Sequence, residues 1–244
     1  MTIVNLFFFL IALAYSSAGF GGGSLYLAVL ANTGLAAIHV RMLALSCNAL
    51  VTLQGGLHYQ WKKLIPWKKL WPLLAASVPA SLLGAMIKMD DRWYFILLAI
   101  CILLAAIAMG VQAIIVRNEN RTALRNVVLV PASGVIGFLA GITGIGGGIF
   151  LSPLLYLTRW SGEKEIAAAS SLFILLNSLA GLLGQGMVNG MSLTRNDLWF
   201  FAAVIAGGFI GSRLSVSVLT RSLIRWLTIG IMIFAAVRIL IKYT

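Results

Sequence analysis

Two glycine runs set inside long apolar stretches constrain this chain more than any other feature of it. They are Gly19 to Gly23, within AGFGGGSLYL, and Gly144 to Gly148, within TGIGGGIFL. Each glycine in a helix interior costs about 1 kcal/mol relative to alanine, so a helix entering either run is expected to stop there. A helix that restarts beyond the break turns unpaired backbone N–H groups and the positive end of its dipole toward the gap, an arrangement that binds anions. One such break in each half of a chain is a common way for secondary transporters to frame a substrate site near the bilayer midplane.

The glycines matter in this way only if their surroundings are a membrane, and composition supplies that. The chain is 61% hydrophobic and 10% charged, with a mean hydropathy of +1.00, whereas soluble domains carry about 25% charged residues. A membrane-spanning helix needs about 20 apolar residues. Stretches of that kind lie near 3–31, 39–57, 71–87, 93–116, 127–157, 166–188, 198–219 and 223–241. The expected fold is therefore an all-α polytopic membrane protein of eight membrane segments, multi-pass in the inner cell membrane. Met1 to Asn5 carries no basic residue and many spans follow, so the first segment reads as a span rather than a signal peptide. Cys47 and Cys101 fall inside spans and read as packing residues, without metal or disulfide spacing.

The halves resemble each other. Laying Gly21–Gly23 over Gly146–Gly148 requires an offset of 125, after which Asn48 falls near Asn177 at offset 129 and Gly84 near Gly211 at offset 127. This predicts two four-segment repeats, 1–116 and 127–244, joined by a basic cytoplasmic connection at 117–126. The first and fifth segments break at their glycine triplets. If all eight segments cross, the 18 Lys and Arg residues divide 10 to 8 between the faces; if the broken segments re-enter, the division is 12 to 6 and the repeats are inverted. The positive-inside rule favours the second arrangement.

Several stretches also carry a family likeness: GFGGGSLYL, GITGIGGGIFLSPLLYL, AAASSLFILLNSLAGLLGQG and the closing run from Gly207. Across its whole length the chain resembles the sulfite exporter TauE/SafE family of bacterial membrane permeases. The likeness is most specific in the second half, at Gly144 to Pro153 and Gly211 to Arg225. The first half departs from it, having no proline where Pro153 stands and Arg41 where the second half has Ser170. The resemblance implies export or permeation of small sulfur-containing anions such as sulfite or organosulfonates.

The residues themselves point to an anion without naming it. The expected binding set is Ser17, Gly21, Gly22, Gly23, Ser24, Asn48, Thr143, Gly146, Gly147, Gly148, Asn177 and Arg213. Helix N-termini and neutral hydroxyls can satisfy a sulfonate's three oxygens without burying a cation, which is costly in a membrane. The alternative for the glycines is close helix packing, and this is the expected role of Gly137, Gly141, Gly207 and Gly211. Asn48 and Asn177 suit either a substrate or a broken-helix carbonyl. Arg213 either snorkels to the interface or faces an aqueous cavity, and His39 and Arg41 are expected at the mouth of the second segment.

Other classes lack what they need. Phosphate and dinucleotide motifs require a strand–turn–helix context, and the P-loop a following lysine. No nucleophile and base meet at membrane depth, so no enzyme, catalytic residue, metal or cofactor is expected. The net charge of +12 sits mostly in loops, where anionic lipid rather than nucleic acid is the expected partner. Asp90, Asp91, Glu119, Glu163, Glu165 and Asp197 are all expected in loops, leaving no acid to relay protons through the membrane. An anion channel would share every feature named here. The expected partners are thus a small anionic substrate and membrane lipids.

Overall fold

The computed structural model describes residues 2–17, 20–115, 126–190, 192–213 and 221–243. Most of the expected basic connection, 117–125, lies outside these residues, as do Gly19 and the stretch 214–220. Among the described residues the chain forms α1 (Thr2–Ser17), α2 (Gly23–Leu30), α3 (Ala37–Trp61), α4 (Trp67–Ala85) and α5 (Asp91–Ile115). It continues with α6 (Asn126–Thr143), α7 (Gly148–Leu157), α8 (Glu163–Asn189), a short 3-10 turn at Arg195–Asp197, α9 (Leu198–Arg213) and α10 (Arg221–Tyr243).

The breaks fall at the glycines for a backbone reason. Gly22 and Gly147, the residues before α2 and α7, have φ of 83° and 79°, in the left-handed region that L side chains avoid. α1 and α6, of 16 and 18 residues, reach about 24 and 27 Å at 1.5 Å per residue, short of a hydrocarbon core of about 30 Å. Among the described residues four helices are long and apolar enough to cross a membrane: Ala37–Trp61, Asp91–Ile114, Glu163–Asn189 and Arg225–Tyr243. Thus neither broken segment contains a single helix of spanning length.

Contacts fix the helix directions. Gly137 packs on Ser77 and Gly141 on Ser81, so α4 and α6 run the same way. Gly207 on Phe9 and Gly211 on Leu13 make α1 and α9 parallel. α8 runs with α4, because Gly184 meets Leu82 and the Asn177 amide donates to Ser77 Oγ at 3.2 Å. α8 runs against α3, because Gly181 meets Leu45 and Ser171 Oγ donates to the Thr52 carbonyl at 3.2 Å. α3 and α9 are parallel, paired at one end by His39 and Asp197 and farther along by Gln54 on the Ile205 carbonyl.

A consequence follows for the short helices. α6 and α8 point the same way, so α7 between them runs back; α1 and α3 point the same way, so α2 runs back too. The start of α1 and the end of α10 therefore lie at one end of the bundle. Lys242 on the Ala31 carbonyl and Arg92 on that of Tyr243 tie that end together. Lys69, which donates to the Trp160 carbonyl, marks the opposite end.

The halves are interlocked, α1 lying on α9 and α6 on α4. At both contacts a glycine lets backbone meet backbone, the packing role expected of Gly137, Gly141, Gly207 and Gly211. Two apolar clusters close the interior, one around α1, α2, α5 and α10, the other joining α4, α7 and α8.

Candidate functional site

α2 and α7 run in opposite directions from the middle of the bundle, so their N-termini meet there. A methyl group added to Gly23 would come within 2.7 Å of the Ile145 carbonyl oxygen, which puts the two breaks in contact. Neither terminus is capped by a side chain. The first amides of each short helix have no intrahelical acceptor, and the two positive dipole ends face each other.

Beside this meeting point is a small cavity of about 30 Å³, enough as it stands for only a few atoms. Gly21, Gly22, Gly23 and Ser24 line one wall, and Ile145, Ile149, Ser152 and Pro153 another; Asn48 and Ile174 come from α3 and α8, and Gln112 from α5. Among the described residues no charged side chain lines it. Ser24 Oγ, Ser152 Oγ and Asn48 Oδ1 are, among the described residues, buried without a hydrogen-bond partner in ordinary geometry, the Ser24 hydroxyl lying beside that of Tyr15. Each buried polar atom left in that state costs about 1–3 kcal/mol, so the cavity presents unfilled polar capacity on an otherwise apolar wall.

Asn48 joins the halves. Its amide donates to the Ile145 carbonyl at 3.0 Å, while its oxygen stays free in the cavity. The match of Asn48 with Asn177 gives way to a different register in three dimensions. A methyl group added to Gly21 would meet Thr52 Cγ2 at 2.9 Å and Ile174 Cγ2 at 3.2 Å; one added to Gly146 would meet Ser178 Oγ at 2.9 Å and Ile174 Cγ2 at 3.0 Å. Thr52 thus corresponds to Ser178 and Asn48 to Ile174, an offset of 126 rather than 129. Asn177 lies on the face of α8 toward α4, its amide on Phe173 O at 2.8 Å and Ser77 Oγ at 3.2 Å.

The other expected site residues separate in the same way. Gly146 lies against Asn48, whereas Gly147 and Gly148 pack against Phe173 and Ile174, so Ile145 and Ile149 form the cavity wall there. The Thr143 hydroxyl bonds the Leu139 carbonyl at 2.7 Å and closes the end of α6. Arg213 is exposed, its guanidinium over the Phe209 ring at 3.4 Å, away from the cavity. The Ser17 side chain lies outside the described residues.

Arg41, in the second turn of α3, is buried. The acids also differ from expectation. Asp91, Glu163 and Glu165 open helices rather than sitting in loops. Asp197 is buried beside His39 at 3.2 Å and accepts from the Thr194 amide at 2.6 Å. Glu119 lies outside the described residues. Sequence reading missed Gln112 and Ser152; a lone glutamine in an apolar helix and a serine beside Pro153 were the available signals.

A family model described as Sulfite exporter TauE/SafE matches residues 4–239, nearly the whole chain. The chain belongs to the sulfite exporter TauE/SafE family. A relative, the probable membrane transporter protein y4hK of Sinorhizobium fredii, is 32% identical over 222 residues, covering 89% of each chain. The probable membrane transporter protein YunE of Bacillus subtilis is 32% identical over 85 residues, 34% of this chain and 29% of its own. No solved structure matches. With its apolar helices, membership of the TauE/SafE family makes this a multi-pass membrane transporter.

Proposed function

We propose that the chain is a permease of the inner cell membrane that exports small sulfur-containing anions, sulfite or organosulfonates, through the cavity between α2 and α7. The carrying observation is that two uncapped helix N-termini meet beside Ser24, Ser152 and Asn48, each with a buried polar atom lacking a partner. An anion there would accept from backbone amides and hydroxyls, while the apolar wall would hold an organic substituent. Both positive helix ends favour negative charge between them.

On this reading 1–116 and 127–244 are inverted repeats with re-entrant broken segments. The parallel runs of α1 with α3 and α6 with α8 support it, as does a basic end of the bundle at Lys62 to Lys69. Thermal shift of the purified protein with sulfite, sulfate, thiosulfate and small sulfonates tests the site, since a ligand bound only by the folded state raises its melting temperature. No shift with any of these would remove the reading. Flux that saturates and is accelerated by substrate on the far side would identify a carrier, and its absence a channel.

A further inference from the structure

A broken helix presents two ends to its gap. The restarting half offers positive amides, but the incoming half offers its last carbonyls, which repel an anion. At the second break three carbonyls, those of Gly141, Thr143 and Ile145, are occupied by side chains from the first half of the chain. The Arg41 guanidinium donates through Nη2 to Gly141 O at 3.1 Å and to Ala85 O, the last residue of α4, at 3.4 Å. The Tyr94 hydroxyl donates to Thr143 O at 2.9 Å, and Asn48 takes Ile145 O.

Arg41 is 4% exposed. Its guanidinium lies 5.5 Å from the Tyr94 ring centre and against the side chain of Gln185, which also reaches the Ala85 carbonyl, at 3.4 Å. A methyl group added to Gly144 would lie 3.3 Å from Arg41 Cα, so α3 passes directly against the break. Among the described residues the acids nearest in the fold are otherwise engaged, Asp197 with His39 and Asp91 with the Ala37 amide. A guanidinium keeps its proton in proteins, and among the described residues its charge faces the ends of α4 and α6. Arg41 and Asn48 lie on one face of α3, seven residues or about 10 Å apart.

We propose that Arg41 is the fixed countercharge of the anion site, a positioning residue that cancels the carbonyl ends at the second break and holds that break rigid. It does not touch the cavity; it acts through the backbone and through its field. The inference rests on the anion-site reading above. At an effective dielectric constant near 20, a unit charge about 10 Å away changes affinity by ~10-fold for a monoanion and ~100-fold for a dianion. The dependence on ligand charge separates an electrostatic role from a merely structural one.

The test uses the purified full chain, with methanesulfonate as the monoanion and sulfate as the dianion, by titration calorimetry. Arg41→Gln is expected to weaken methanesulfonate ~10-fold and sulfate ~100-fold. Gln185→Glu neutralises the guanidinium in place while keeping an acceptor on it, so it is expected to fold with a melting temperature at or above the parent's and to lose affinity in the same graded way. Should Arg41→Gln not fold, Gln185→Glu decides alone. Equal losses for the two anions, or affinities within twofold of the parent in Gln185→Glu, would overturn the proposal. A parent protein that binds neither anion would instead remove the anion site itself.

Discussion

Asn48 and Ile174 stand opposite one another where the two glycine breaks meet, an amide on α3 and a hydrocarbon on α8 at corresponding positions. The site is therefore asymmetric although its backbone is nearly two-fold. Asn48 can strap the second break through the Ile145 carbonyl and still offer an oxygen to the cavity, whereas Ile174 can only pack. At this point the first half contributes a polar side chain and the second half's backbone receives it, while the second half's own polar side chain in the cavity is Ser152.

Replacing Asn48 by leucine should lower anion affinity at least tenfold, about 1.4 kcal/mol, because it removes both the strap and a cavity polar group. Asn177→Leu should behave differently, since that amide bonds Phe173 and Ser77 outside the cavity. It is expected to lower stability by about 1–3 kcal/mol with anion affinity changed less than threefold. Comparing dissociation constants and melting temperatures of the two variants checks the assignment. Equal effects on binding would contradict it.

Gly147→Val should abolish binding while leaving membrane insertion intact. Its φ of 79° is strained for any β-branched residue, and an added methyl would meet Phe173 Cε1 at 2.9 Å. Gly34→Ala is the matched control: φ is 78°, but nothing lies within 4 Å of an added methyl. The control should lose only the backbone term, about 1 kcal/mol or somewhat more, and transport normally. Radiolabelled sulfonate uptake into proteoliposomes measures both.

Both chain termini are expected on the extracytoplasmic face, because the start of α1 and the end of α10 lie at the same end of the bundle as the less basic loops. Terminal reporter fusions that are active only on one side of the membrane test this. A cytoplasmic signal from either terminus would restore full crossings by the broken segments.

Neutralising Asp90, Glu163 or Glu165 should change flux well under tenfold, since each stands at a helix end away from the cavity. Asp197→Asn is the exception in stability rather than transport mechanism. It is buried and holds His39 and the Thr194 amide, so its loss should destabilise the fold by about 1–3 kcal/mol. Melting curves beside uptake assays separate the two outcomes, and a large flux defect in a stable Glu163 or Glu165 variant would place an acid in the pathway.

What the sequence by itself determined was local. Apolar content sets the solvent as lipid, and three successive glycines weaken a helix enough for it to stop, because only glycine takes φ near +80° without strain. That is why the breaks at Gly22 and Gly147, and the packing of Gly137 and Gly207, were legible. Which polar groups share a cavity was decided only by the tertiary structure. Three residues of register, 129 against 126, turn a helix by about 60° short of a full turn, enough to swing Asn177 toward α4 and leave Ile174 facing Asn48. Gln112 reaches the cavity, and Arg41 the carbonyl ends of α4 and α6, through neighbours far away in the chain. Helix rotation is set by side-chain packing across interfaces, and no single segment encodes it.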